Sequence, residues 1–288
     1  MKQFFPSVFL ALIVALPGAV RAQVLYASIG SGETGHLFTI NPVTAAATYV
    51  ATVNVSGVNV SLTGLAFQPG TGVLYGVTAA HGNYAQTLIT IDRLSGAATL
   101  IGGSGGLGGT VTDITFDPTG TTLYGWQSSN GAFPNSAGII NLATGAVAPL
   151  GTDTGRTGGG GIAIDPNTGI AYVSRLGSQG ALETLDLGTG NLVTGATMSS
   201  AYFGNQLNAM AINGASEIYA SNSTNNGFSN LMKLDPATGI LAYVGALPNY
   251  TDALAFSTSA IPEPSTYAAF AGLAALAVVG LRRRHRAA

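Results

Sequence analysis

Ile114-Thr115-Phe116-Asp117-Pro118-Thr119-Gly120-Thr121-Thr122-Leu123-Tyr124-Gly125 is the stretch from which the rest of the chain can be read. A short β-branched and aromatic run meets Asp-Pro, passes a glycine, and resumes as a second apolar run centred on tyrosine. Proline presets φ at the turn, aspartate accepts turn N–H groups, and glycine takes the left-handed position. The phrase therefore reads as strand, tight turn, strand. Its first half recurs as Leu65-Ala66-Phe67-Gln68-Pro69, Ile162-Ala163-Ile164-Asp165-Pro166, Met210-Ala211-Ile212-Asn213-Gly214 and Leu254-Ala255-Phe256. Its second half recurs around Tyr26, Tyr75, Tyr172 and Tyr219, so that successive tyrosines, with Tyr124, lie 49, 49, 48 and 47 residues apart by subtraction.

Each tyrosine run is followed by a third strand, as in Leu88-Ile89-Thr90-Ile91-Asp92 and Leu231-Met232-Lys233-Leu234-Asp235. These strands run into Ser95-Gly96, Thr144-Gly145, Thr189-Gly190 and Thr238-Gly239, while the first copy has Thr44-Ala45 instead. A fourth short strand comes next. Four strands per repeat at this period predict the blades of a β-propeller, each burying its apolar faces against its neighbours. The fold expected is all-β, a five-bladed β-propeller of four-stranded blades. A parallel β-helix or β-sandwich explains the four-strand period less well. The last inner-strand copy lacks a tyrosine strand and the first tyrosine strand lacks an inner one. Thr251 to Ser257 is therefore expected to complete the blade begun by Val24 to Val53.

Composition agrees with short strands and tight turns: 41 glycines and only 8% charged residues in 288. Lys2, Arg21, Arg282, Arg283, Arg284 and Arg286 lie at the ends, so the body keeps four cationic residues against eleven carboxylates, 4 − 11 = −7. An acidic body argues against nucleic acid and against an anionic membrane face. The absence of cysteine excludes disulfides, thiolate metal sites and a cysteine nucleophile.

Both ends read as addresses. Lys2, the apolar run Val8 to Leu16 and Val20-Arg21-Ala22 form a secretory signal peptide over 1–22. At the other end Ile261-Pro262-Glu263-Pro264-Ser265-Thr266 precedes an apolar run from Tyr267 to Leu281 and then Arg282-Arg283-Arg284-His285-Arg286. This order resembles the PEP-CTERM sorting signal of Gram-negative bacteria. The resemblance implies cleavage near Pro262, Glu263 and Pro264 by an exosortase, a membrane-embedded transpeptidase, and an association with exopolysaccharide and biofilm. The apolar run, a sorting helix in the inner membrane, is marginally short for a permanent span. Arg282, Arg283, Arg284 and Arg286 would hold its end on the cytoplasmic side. The domains expected are thus 1–22, the propeller at 23–258 and the sorting segment at 259–288. The Leu-Tyr-Gly phrases also resemble propeller repeats of secreted bacterial proteins, a likeness that identifies no function.

Chemistry is sparse. Asp117, Asp165 and Asp235 each precede proline and read as turn acceptors. Asp113 and Asp252, with Thr63, Thr112 and Asn208 at similar positions, are candidates for a polar ring facing the central channel, where a cation or sugar hydroxyls could bind. His36 and His81 read as loop residues ahead of third strands. Trp126, Tyr84, Phe133, Tyr202 and Phe228 read as aromatics on or beside loops, where sugar rings can stack. The runs Gly102 to Gly109 and Gly155 to Gly161 have neither the lysine nor the helix of a phosphate loop. No metal, cofactor or catalytic set is expected. The reading is an exported surface or matrix protein, at the outer surface or in the periplasm, binding exopolysaccharide or surface proteins. The alternative is an extracellular propeller hydrolase or lyase acting on glycans or lactones.

Overall fold

The computed structural model describes residues 23–30, 34–128, 136–151, 160–174, 180–199, 207–223 and 227–257. The chain divides into two units, Met1–Ala22 with Ile261–Ala288, and Gln23–Ala260. The first contains the expected signal peptide and sorting motif and lies outside the described residues, as do Phe133 and Tyr202. All the described residues belong to the second.

Among the described residues every regular element is a β-strand. The stretch 114–125 falls in β9 (Val111–Phe116) and β10 (Leu123–Gln127), paired antiparallel with Phe116 opposite Leu123. Further out follow β11 (Ala137–Ile140) and β12 (Val147–Leu150). The same meander is built by β5 (Leu62–Phe67), β6 (Leu74–Thr78), β7 (Leu88–Ile91) and β8 (Ala97–Ile101). It recurs in β13 (Ile162–Ile164), β14 (Ala171–Ser174), β15 (Ala181–Leu185) and β16 (Leu192–Thr197). It recurs again in β17 (Leu207–Ile212), β18 (Ile218–Ser223), β19 (Ser229–Leu234) and β20 (Leu241–Leu247).

The two half-repeats combine. β1 (Leu25–Ile29), β2 (Gly35–Ile40) and β3 (Ala47–Val55) take β21 (Thr251–Phe256) as their innermost strand, with Leu25 opposite Phe256. Val24 and Ser257 fasten the seam by exchanging backbone and side-chain hydrogen bonds of 2.8 and 3.0 Å. A small hairpin strand, β4 (Val58–Asn59), extends β3, and β3 also pairs in parallel with β8, joining two meanders into one nine-stranded sheet. The innermost strands pack one on the next in the cycle β21, β5, β9, β13, β17 and back to β21. Meanders arranged face to face around closed inner strands are a β-propeller.

Burial follows radial position. β6 and β10 are buried at every residue, whereas β8, β12 and β16 have no buried residue. β6 and β10, second in their meanders, are covered on both faces by neighbouring meanders, so they are buried along their whole length rather than at alternate residues. The repeated tyrosine explains how neighbours lock. Tyr26 stacks on Phe67 of the next meander with ring centroids 5.2 Å apart, Tyr75 on Phe116 at 5.3 Å and Tyr219 on Phe256 at 5.5 Å. Tilted aromatic pairs of this kind contribute beyond their buried area. Where the inner strand ends in isoleucine instead, Tyr124 shares a cluster with Ile164, and Tyr172 and Ile212 pack against another.

The Ser/Thr-Gly turns are a second lock. In each, Asn41, Asp92, Asn141, Asp186 or Asp235 accepts the backbone N–H two residues on. Gly96 at φ +72° lies so close to the preceding meander that a Cβ would sit 2.5 Å from the Thr52 carbonyl oxygen. Gly145, Gly190 and Gly239 face Ile101, Leu150 and Thr197 in the same way. The exceptional Thr44-Ala45 turn keeps the left-handed conformation with Ala45 at φ 58°. Its methyl is accommodated because the facing residue is Gly245, whose own Cβ would lie 2.8 Å from it.

Candidate functional site

The inner strands carry a repeated vertical order set by the period-two pleat. Three residues before Phe67, Phe116, Ile164, Ile212 and Phe256 stand Gly64, Asp113, Gly161, Ala209 and Ala253. This layer is small because the strands converge: a Cβ on Gly64 would lie 2.9 Å from the Asp113 Cα, and one on Gly161 2.7 Å from the Met210 nitrogen. Asp113 is the only polar residue in it. It is fully buried, and its carboxylate reaches across the ring. Oδ1 accepts the Ile114 N–H at 2.9 Å, while Oδ2 accepts the N–H groups of Ile162 on β13 and Met210 on β17, each at 3.0 Å. One carboxylate thus ties three inner strands together.

The next layer, four residues before the strand ends, holds Thr63, Thr112, Asn208 and Asp252. The Thr63 hydroxyl donates to the Val111 carbonyl at 2.8 Å and that of Thr112 to the Gly160 carbonyl at 2.9 Å. Both protons are spent on the neighbouring strand, which ties meander to meander. Asn208 donates to the Asp252 carboxylate. Asp252 crowds Gly30, where a Cβ would lie 2.6 Å from the aspartate Cβ. Burial pushes the Asp252 carboxyl up to about 7, against the Asn208 hydrogen bond that draws it down. Burial likewise drives Asp113 well above the carboxylate range, opposed by its three N–H donors and reinforced by the charge of Asp252. The two carboxyls therefore resist ionising together.

At the opposite end of the inner strands a cavity of about 100 Å³ opens among the turns that join inner to second strands. Its walls include the penultimate residues Ala66, Thr115, Ala163, Ala211 and Ala255, one from each inner strand. Their small side chains leave the room, and Pro69, Pro118, Asp117 and Gln23 stand at its edge. Sequence reasoning missed this mouth, although the repeated small residue before each terminal Phe or Ile signals it. Thr115 bonds the Ile164 N–H through Oγ1 at 3.3 Å and gives the wall its one hydroxyl among four alanines.

The remaining singled-out residues scatter. Asp117, Asp165 and Asp235 accept turn N–H groups of Thr122, Asn167 and Ala237 at 2.8 to 2.9 Å. His81 lies in the loop after β6, but His36 lies within β2, edge-on to Tyr49 at 5.5 Å, and its Nδ1 is 3.0 Å from the Thr52 hydroxyl. Trp126 is not a loop aromatic. It lies in β10 at 4% exposure, because the tyrosine strand continues two residues further than its apolar centre suggests. Tyr84 is partly buried and Phe228 exposed. Among the described residues no group of three or more His, Asp or Glu side chains could hold a metal ion.

No protein-family model and no curated protein matches the sequence. Among solved structures the chain is similar to TolB from Acinetobacter baumannii, at 9% identity and a TM-score of 0.49, over 81% of this chain and 54% of that one. It is similar to a protein of unknown function from Bacteroides thetaiotaomicron at 16% identity and a TM-score of 0.46, over 74% of this chain and 62% of that one. A putative 6-phosphogluconolactonase from Bacteroides uniformis is similar at 14% identity and a TM-score of 0.45, over 81% of this chain and 99% of its own length. The chain thus spans little more than half the length of the first two structures that it resembles.

Proposed function

We propose that this chain is an exported, five-bladed β-propeller that serves the outer surface or extracellular matrix of a Gram-negative bacterium as a binding or structural protein. In this reading it loses residues 1–22 on export and passes through the inner membrane with its C-terminal segment held there transiently. An exosortase then cuts it near Pro262, Glu263 and Pro264. Exopolysaccharide or other surface proteins are its partners, and the acidic body keeps it away from nucleic acid.

The single observation that carries a binding role over a catalytic one is how the axial polar groups are spent. Asp113 holds three backbone N–H groups, and Thr63 and Thr112 donate to neighbouring strands. Groups committed to tying strands together are poorly placed to move protons for a substrate. Co-sedimentation of the protein purified from its native host with that host's exopolysaccharide tests the reading. Binding that survives moderate salt supports it, and no binding removes the polysaccharide as partner. Intact mass of the same preparation tests the processing, which a species retaining Arg282 to Ala288 would overturn.

One observation favours a hydrolase or lyase instead: the Asp252 carboxyl, at about 7, lies where a general acid or base works best. Loss of a glycan- or lactone-cleaving activity in Asp252→Asn, with the fold retained, would establish that alternative.

A further inference from the structure

The antiparallel order of each meander puts two sets of turns at one end of the ring: those joining inner to second strands, and the Ser/Thr-Gly turns joining third to fourth strands. The axial mouth opens at this same end. Here the sequence concentrates its charge. Asp92, Asp117, Asp165, Asp186, Glu217 and Asp235 all stand on or beside these turns, against Arg93 and Lys233. Lys233 is already committed to Glu217, at 2.6 Å. Backbone N–H groups hold Asp92 and Asp186 below the usual carboxylate range. At Asp117 and Asp165 burial pulls the other way and is outweighed by hydrogen bonds from Thr119 and Asn167 among others. The Lys233 ammonium lowers Glu217, and the Thr238 hydroxyl lowers Asp235. The face therefore stays anionic through mildly acid conditions.

This face also exposes apolar side chains. Val43 is 79% exposed, Leu94 75% and Ile240 53%, all on the Ser/Thr-Gly turns. These side chains are not part of the clusters packed between the meanders, and they lie on the outer turns of this end rather than on the lining of the mouth. Anionic turns, of which Asp117 lines the mouth itself, favour cations over anions, while the mouth has room for one branched aliphatic side chain and is lined mainly by apolar residues, four of them alanines.

We infer that this turn face docks a basic segment of a partner protein, one apolar side chain of which enters the axial mouth while flanking lysines or arginines meet the turn carboxylates. The inference goes beyond the polysaccharide reading and stands or falls separately from it. The partner recognised is a polypeptide, because an anionic polysaccharide would meet like charge on this face, at Asp117 beside the mouth and on the other turns.

Fluorescence anisotropy of labelled acetyl-Lys-Lys-Leu-Lys-Lys-amide, titrated with the full chain at low and physiological salt, tests it. Matched peptides carry glycine in place of leucine, or glutamates in place of the lysines. Burying the leucine is expected to give about tenfold or more tighter binding than glycine, and the glutamate peptide should not bind. Asp117→Asn keeps the Oδ1 acceptor for the Thr121 and Thr122 N–H groups. It should weaken the leucine peptide by about two- to fivefold. Ala211→Leu fills the mouth and should erase the leucine preference while leaving the charge attraction. Equal affinities for the leucine and glycine peptides would overturn the inference, as would a preference that survives in a folded Ala211→Leu. Should that variant fail to fold, the leucine-to-glycine comparison on the unmodified protein and Asp117→Asn decide the matter.

Discussion

Replacing Asp252 with asparagine should reshape the pH dependence of the ring's stability. The carboxyl titrates at about 7 in the folded protein against an ordinary value of 3.8. Folding therefore takes up a proton at this site. A raised carboxyl contributes its stabilisation in full below the unfolded value and loses it as pH rises through the folded one. The window is pH 4 to 7, and the shift of about three pKa units corresponds to about 4 kcal/mol. That figure is an upper bound, because Asp252 keeps some exposure to solvent, which screens the penalty. Asparagine retains a carbonyl for Asn208 but cannot ionise. It also removes the charge that raises Asp113, which acts in the same direction. Asp252→Asn should thus match the unmodified protein near pH 4 and exceed it by about 2 to 4 kcal/mol at pH 8, or roughly 10 °C in Tm for a domain of this size. Calorimetry of both proteins at pH 4, 5, 6, 7 and 8 gives the difference curve. A difference that does not change with pH would refute the reasoning, and one that shrinks with rising pH would reverse its sign.

The packing sets three further outcomes. Gly190→Ala forces a side chain into the left-handed region at φ +76° and against the Leu150 carbonyl, whereas Gly57→Ala at φ +84° meets nothing within 4 Å. Gly57→Ala should cost about 1 kcal/mol from backbone conformation alone, and Gly190→Ala clearly more; equal Tm losses would dismiss the contact between meanders. Phe116→Ala removes a ring that is 6% exposed and stacked on Tyr75, so it should cost about 3 to 5 kcal/mol. Val43→Ala, at a turn tip 79% exposed, should stay within about 0.5 kcal/mol, and urea unfolding compares the two. Deleting residues 251–257 removes β21 and leaves β1 without its inner neighbour, so limited proteolysis should degrade the whole ring, and survival of a resistant core would show the closure to be dispensable.

Much of this architecture is legible in the sequence because its signals are local. Asp117 bonds the N–H groups of Thr121 and Thr122, and Asp235 that of Ala237, so the turns they begin appear wherever those residue types recur. Strand pairing within a meander joins neighbours in sequence, and the repeated Phe and Tyr positions mark its strands. The half-repeats at the two ends even indicate which strand completes the first meander, since each lacks what the other supplies. Trp126 and His36 show the limit of that reading. The apolar centre of a strand is evident, but its ends depend on how far the neighbouring strand continues the ladder.

Contacts along the axis and between meanders lie beyond that limit. Asp113 accepts N–H groups from residues 49 and 97 positions further along the chain, and nothing near it in sequence distinguishes a strand-tying carboxylate from a ligand-binding one. Ala45 is tolerated in a left-handed turn only because Gly245, two hundred residues away, faces it. The axial mouth exists because five small residues from separate repeats meet around one point. The repeat and its turns could be read from the chain alone, because hydrogen bonds between near neighbours carry them, and the closing strand because each terminal half-repeat lacks what the other supplies. Which side chains face one another across the ring was settled only by its closure, because only then do residues from different repeats share the same few ångströms.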